Sequence, residues 1–139
     1  MRSMVDLCWC MANAAVILDR DDTLITNRTL PPPPPPAAVG DLVSPAQVDL
    51  LPGVRDACAR LVAAGMPLIV VTNQGVVARG GLTLEGLEDI HDRLDDLLTL
   101  EDGTPMLTAV YACPFHPGGP VEAFTREHPW RTPQPGMLL

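Results

Sequence analysis

Three short apolar runs punctuate the chain, and each stops at a polar or reactive cluster. Residues 14–18 (Ala-Ala-Val-Ile-Leu) run into Asp19-Arg20-Asp21-Asp22, and residues 67–71 run into Thr72-Asn73-Gln74-Gly75. The third run, residues 107–112, is followed by Cys113 and a Pro- and Gly-rich stretch that extends to Gly136. Continuous apolar runs of this length predict strands buried on both faces, as in a parallel sheet covered by helices. Between the runs the period lengthens. Val54, Ala57, Cys58, Leu61 and Val62 recur at spacings of three and four after Leu51-Pro52-Gly53, and Gly65 supplies the stop. Thr83 is placed to cap a second helix, with Leu84, Leu87, Ile90, His91, Leu94, Leu97 and Leu98 along one face. Glu85, Glu88, Asp89, Asp92, Asp95 and Asp96 fall mostly off that stripe and read as a solvated face rather than a metal site. The order β-α-β-α-β predicts a parallel α/β domain.

Two segments interrupt this order. Residues 31–36 are six consecutive prolines, which lack backbone donors and favour an extended helix, so they predict a surface insertion in a loop. Residues 1–13 form an N-terminal extension that imitates a signal peptide: Arg2, an apolar stretch, then Ala12-Asn13-Ala14. Asp6 breaks the imitation, and the apolar run 7–12 falls short of an ordinary signal core. Met4 and Met11 are alternative starts.

Composition narrows the function classes. A length of 139 residues suits one domain, and 47% hydrophobic residues suit a packed core. A net charge of -8 argues against a nucleic-acid-coating protein, which needs clustered Lys and Arg, but leaves room for a small anionic substrate. Cys8, Cys10, Cys58 and Cys113 are too few and too irregular for a disulfide scaffold, so a reducing, cytoplasmic location is expected. No segment has the roughly 18 apolar residues of a membrane span. The expected partner is a small phosphorylated metabolite, with neither nucleic acid nor membrane, and the expected state is a monomer.

The chemistry centres on Asp19 and Asp21. In an extended strand residues i and i+2 point to the same side, so both carboxylates can approach one substrate group. One can attack phosphorus and the other can protonate the leaving oxygen and later activate water. Two carboxylates beside a phosphate call for a divalent cation, and Mg²⁺ suits oxygen ligands. Taken alone the same spacing is also common in plain polar turns.

Context decides between these readings. Val16-Ile17-Leu18-Asp19-Arg20-Asp21-Asp22-Thr23-Leu24-Ile25 resembles the first motif of the haloacid dehalogenase superfamily, and Val70-Val71-Thr72-Asn73-Gln74 resembles its second. Leu51-Pro52-Gly53-Val54, Ala78-Arg79-Gly80, Cys113-Pro114-Phe115-His116-Pro117 and Trp130-Arg131-Thr132-Pro133-Gln134-Pro135-Gly136-Met137 follow in an order similar to subfamily IIIA. That group contains heptose-bisphosphate and histidinol-phosphate phosphatases. The resemblance implies a Rossmann-like three-layer α/β domain over residues 14–139, incomplete at its C-terminus. It implies Asp19 as nucleophile and Asp21 as acid/base, with the Asp19 carboxylate and the Asp21 carbonyl in the Mg²⁺ shell. Thr72 would bind the phosphoryl group through its hydroxyl, with the Asn73 backbone helping to cradle it, and Arg79 and Arg131 would bind substrate anions.

Three departures from the family pattern set further expectations. Asp22 stands where glycine is commoner, and its side chain is expected to point away from the nucleophile. Thr132 replaces the lysine of the third motif, a loss worth on the order of 2.7–4 kcal/mol by analogy with other transition-state donors. The fourth motif, which supplies the remaining Mg²⁺ ligands, does not appear by Leu139, although Pro135 reads like the start of a helix. Many relatives also hold a structural Zn²⁺. Here Cys113, His116 and His128 are the only candidate ligands, Trp130 stands where another would be, and a metal-free, proline-braced loop is expected. Cys8-Trp9-Cys10 lacks partners for a second metal site. The functional expectation is a phosphomonoesterase for a small phosphorylated sugar of the heptose-bisphosphate kind, or a histidinol-phosphate-type phosphatase. The alternative is a non-catalytic remnant or phosphate-binding module of the same fold.

Overall fold

The computed structural model describes residues 14–139. The N-terminal extension, with Cys8 and Cys10, lies outside the described residues.

The three apolar runs form the three strands β1 (Val16–Leu18), β2 (Leu68–Asn73) and β3 (Leu107–Cys113), all parallel, in the order β1-β2-β3. The predicted helices follow as α1 (Val54–Ala63) and α2 (Leu84–Leu97). Each crossover therefore carries one helix, as parallel neighbours require. The Thr83 side chain accepts from the Gly86 N–H at 3.0 Å and fixes the start of α2.

Alternation along the strands sorts their side chains into two sets. Val16, Leu18, Leu68 and Val70 belong to one core cluster with Cys58, Val54 and Val62 of α1 and Ile90 and Leu94 of α2. Both long helices thus cover the same face. On the other face Ile17 and Tyr111 stay half exposed, and an apolar groove of about 390 Å³ runs over them to Trp130 and Leu138. The stretch after Trp130 is the part of a third layer found among the described residues. The helix expected to begin at Pro135 is a single 3₁₀ turn, Pro135–Met137.

The proline tract runs over the surface and is mostly exposed. Its distal end packs down: Ala37 joins a second small cluster with Val76, Val77 and Leu87. The acidic face of α2 is solvated except at Asp95, which is half buried against β3, and desolvation pushes its carboxyl pKa up. No helix among the described residues is long and apolar enough to cross a membrane.

Candidate active site

Parallel pairing puts the carboxyl ends of β1, β2 and β3 along one edge. Leu18 pairs with Val70 and Asn73 with Cys113, so Asp19, the segment Thr72-Asn73-Gln74 and Cys113 leave the sheet side by side. Open α/β sheets present ligand crevices at this edge. A cleft of about 320 Å³ opens there, lined by Leu18, Asp19, Asp21, Thr72, Asn73 and Thr132 among others.

A tight turn follows β1. The Arg20 carbonyl accepts N–H groups from Leu24 at 2.9 Å and Ile25 at 3.2 Å, which reverses the chain directly after the first aspartate. Asp19 stays exposed, with one carboxylate oxygen accepting the Arg20 N–H at 2.7 Å. Asp22 takes a left-handed conformation at φ 54°, which explains why glycine suits the position. Its carboxylate accepts the Asn27 N–H at 3.0 Å and also binds Arg28, so it turns away from Asp19. The Asn27 N–H and, behind it, Arg28 hold its pKa below the usual carboxylate value.

Asp21 is more constrained than the spacing of the two aspartates suggested. One oxygen accepts from Arg20 Nε at 2.7 Å and the other from Gln74 Nε2 at 2.9 Å. Thr72 is buried, and its Oγ1 accepts from the same Gln74 amide at 3.0 Å, which leaves the hydroxyl proton free to donate to an anion in the cleft. Asn73 makes a side-chain contact that the motifs do not predict. Its side-chain amide donates to Thr132 Oγ1 at 2.6 Å and accepts the Thr132 N–H at 3.0 Å, pinning the third-motif loop at the cleft.

The structure therefore brings together Asp19, Asp21, Thr72 and Asn73. It does not bring Arg79 or Arg131 to them. Arg79 is held by both oxygens of Asp41 at 2.7 Å, and Arg131 donates to the Phe115 carbonyl at 3.3 Å; neither lines the cleft. Among the described residues, no Lys, Arg or His lines it.

The donor set suits Mg²⁺. Asp19 offers an exposed carboxylate, and the Asp21 carbonyl accepts no backbone N–H among the described residues. The Asp21 carbonyl is thus an available oxygen ligand beside the Asp19 carboxylate. Zinc is a different case. Cys113 is buried and desolvation raises its thiol pKa, while His116 Nδ1 is engaged with Gly118. The His128 ring stacks on Phe115 at 3.9 Å and packs edge-on against Trp130 at 5.3 Å. Among the described residues no three His, Cys, Asp or Glu side chains are grouped to hold a metal ion. Cys113, His116 and His128 are therefore not drawn together as one group in this structure.

Sequence reasoning passed over Arg20, Gln74 and His91. Arg20 is 1% exposed and donates to Gln74 Oε1 at 2.8 Å, and its Nη1 lies 3.2 Å from His91 Nε2. A histidine on the apolar stripe of α2 was the available signal, since a polar group on a core face needs a partner.

No family model matches the chain. It is 35% identical over 125 residues to the D-glycero-beta-D-manno-heptose-1,7-bisphosphate 7-phosphatase of Escherichia coli, covering 90% of this chain and 59% of that protein. The corresponding phosphatase of Thermosynechococcus vestitus is 34% identical, with 93% of this chain and 61% of the relative covered. Among solved structures, a putative HAD-like phosphatase from Mesorhizobium loti superposes with a TM-score of 0.72 at 34% identity, covering 90% of this chain and 54% of that one. The D,D-heptose 1,7-bisphosphate phosphatase from B. bronchiseptica, complexed with magnesium and phosphate, superposes with a TM-score of 0.67 at 29% identity, covering 90% and 59%. The chain spans about three-fifths of the length of the curated relatives it matches. In sequence and in fold the chain is thus similar to heptose-bisphosphate phosphatases and to HAD-like phosphatases.

Proposed function

We propose that the cleft is the phosphoryl-transfer site of a phosphomonoesterase acting on a small phosphorylated sugar of the heptose-bisphosphate kind. The observation that carries this is the convergence of Asp19, Asp21, Thr72 and Asn73 on one opening at the carboxyl edge of the sheet. Asp19 is the exposed member and the one with a carboxylate oxygen free of protein donors, which suits a nucleophile. Attack on phosphorus forms an aspartyl-phosphate and releases the sugar oxygen, which takes a proton from Asp21. Asp21 then draws a proton from water as it attacks the aspartyl-phosphate, returning Asp19 and free phosphate. Thr72 donates its hydroxyl proton to a phosphoryl oxygen throughout. The Asp19 carboxylate and the Asp21 carbonyl would hold Mg²⁺, which would supply positive charge beside the phosphoryl group.

A second reading, a phosphate-binding module without turnover, is favoured by one observation. Thr132 places a neutral hydroxyl in the cleft, at the position of the third-motif lysine in the family pattern, and that hydroxyl is already bonded to Asn73. Purified protein with Mg²⁺ and a panel of sugar phosphates separates the two. Release of inorganic phosphate, lost in Asp19→Asn, is the expected outcome. Phosphate binding without release selects the module.

A further inference from the structure

Arg20 is the most deeply buried charge among the described residues, at 1% exposure, and it sits between the two catalytic aspartates. A guanidinium only donates, so each of its partners must accept. Nε gives its proton to Asp21 Oδ1 at 2.7 Å, and Nη2 to Gln74 Oε1 at 2.8 Å. Nη1 approaches His91 Nε2 at 3.2 Å, which requires a lone pair there and hence a neutral ring protonated at Nδ1. With Oε1 of Gln74 committed to Arg20, its amide nitrogen is left to donate, and its two protons go to Asp21 Oδ2 at 2.9 Å and Thr72 Oγ1 at 3.0 Å. Gln74 is itself 4% exposed. The orientation of every group in this network follows from the one group that cannot accept.

We propose that Arg20, Gln74 and His91 form a buried positioning unit that fixes the carboxylate plane of Asp21 and ties it to Thr72. Asp21 receives one N–H on each oxygen from two different side chains, so its χ angles are set by groups that do not touch substrate. Each oxygen keeps a second lone pair, and Asp21 still lines the cleft. Through Gln74 the acid/base carboxylate and the phosphoryl-binding hydroxyl hang on a single amide. His91 carries this constraint into α2, where Ile90 and Leu94 anchor it in the core. The catalytic consequence rests on the phosphatase reading above; the geometric one does not.

The test combines turnover with a readout that needs none. Gln74→Glu keeps an oxygen for Arg20 but replaces the N–H groups facing Asp21 and Thr72. With p-nitrophenyl phosphate and Mg²⁺ its kcat is expected to fall roughly tenfold or more with KM changed by less than about twofold. His91→Gln, which can still accept from Arg20, is expected to retain kcat, while His91→Leu loses it. Wild-type kcat in both Gln74→Glu and His91→Leu overturns the unit and leaves the phosphatase reading standing. In parallel, NMR of the Arg20 Nε–H in the intact chain is expected to show slow exchange with solvent and a shift on Asp21→Asn. Rapid exchange overturns the unit irrespective of turnover. Absent wild-type turnover with a protected Nε–H is the failure of the phosphatase reading alone.

Discussion

At the scale of single residues the cleft is unbalanced in charge. Asp19 and Asp21 contribute two carboxylates, and among the described residues no cationic side chain lines the opening proposed to receive a phosphate. Thr132 is the position at which one residue changes this most directly. Thr132→Lys introduces a cation at the cleft, and since the Thr132 N–H bond to Asn73 is a backbone bond, the loop keeps half of its clamp. The substitution is expected to raise the rate of phosphate release by about two to three orders of magnitude, as for other donors aimed at developing charge. Unchanged release, measured in the same sugar-phosphate assay, would show that the loop does not aim residue 132 at the transferred group. His91 gives a second test at this scale. Burial first, and the Arg20 guanidinium second, lower its pKa to about 4 from an ordinary 6.5. The unfolded chain therefore binds a proton between pH 6.5 and 4 that the folded chain refuses. The stability linked to His91 is present in full above pH 6.5 and is lost as the pH falls to about 4, by about 3 kcal/mol at most. Urea midpoints at pH 7 and pH 4.5 should differ more for the wild type than for His91→Gln; equal differences would refute the assignment.

At the scale of elements, aromatic rings pack together within the loop between β3 and the third motif. Phe115 stacks on His128, meets Phe124 at 5.8 Å, and carries the Arg126 guanidinium 4.3 Å above its ring centre. A short parallel bridge between His116 and Thr125 closes the loop behind this cluster. Aromatic pairs of this kind contribute about 0.5–1.5 kcal/mol beyond the area they bury. His128→Ala should lower stability by about that much, while a zinc chelator should leave the melting temperature unchanged. A drop on chelation would restore Cys113, His116 and His128 as ligands. Element boundaries were legible for simple reasons. Thr83 and Gly65 carry capping and stop chemistry that is local, and the observed helices begin and end beside them. The 3₁₀ turn at Pro135–Met137 was less so, because proline permits a first turn without requiring a second.

At the scale of the whole molecule, the order of apolar runs and helical periods determined the parallel α/β architecture. Apolar runs mark the strands and a parallel crossover needs a helix, so β-α-β-α-β is readable without coordinates; the expected burial on both faces is not met, because Ile17 and Tyr111 stay half exposed on the face that the helices leave open. The sequence also determined which aspartates, threonine and asparagine share the edge of the sheet, since strand ends are local and parallel strands align them. Tertiary structure alone decided what those groups bond to. Arg79 and Arg131 read as free cations and are tied to Asp41 and the Phe115 carbonyl, partners 38 and 16 residues away. Arg20 stands between two aspartates in the sequence, yet it is buried against Gln74 and His91, 54 and 71 residues away. Such pairings are fixed by which surfaces the folded chain brings together, and no local period records them. The residues of the chemistry were written in short motifs; the orientation of Asp21 depended on contacts that only the folded chain creates.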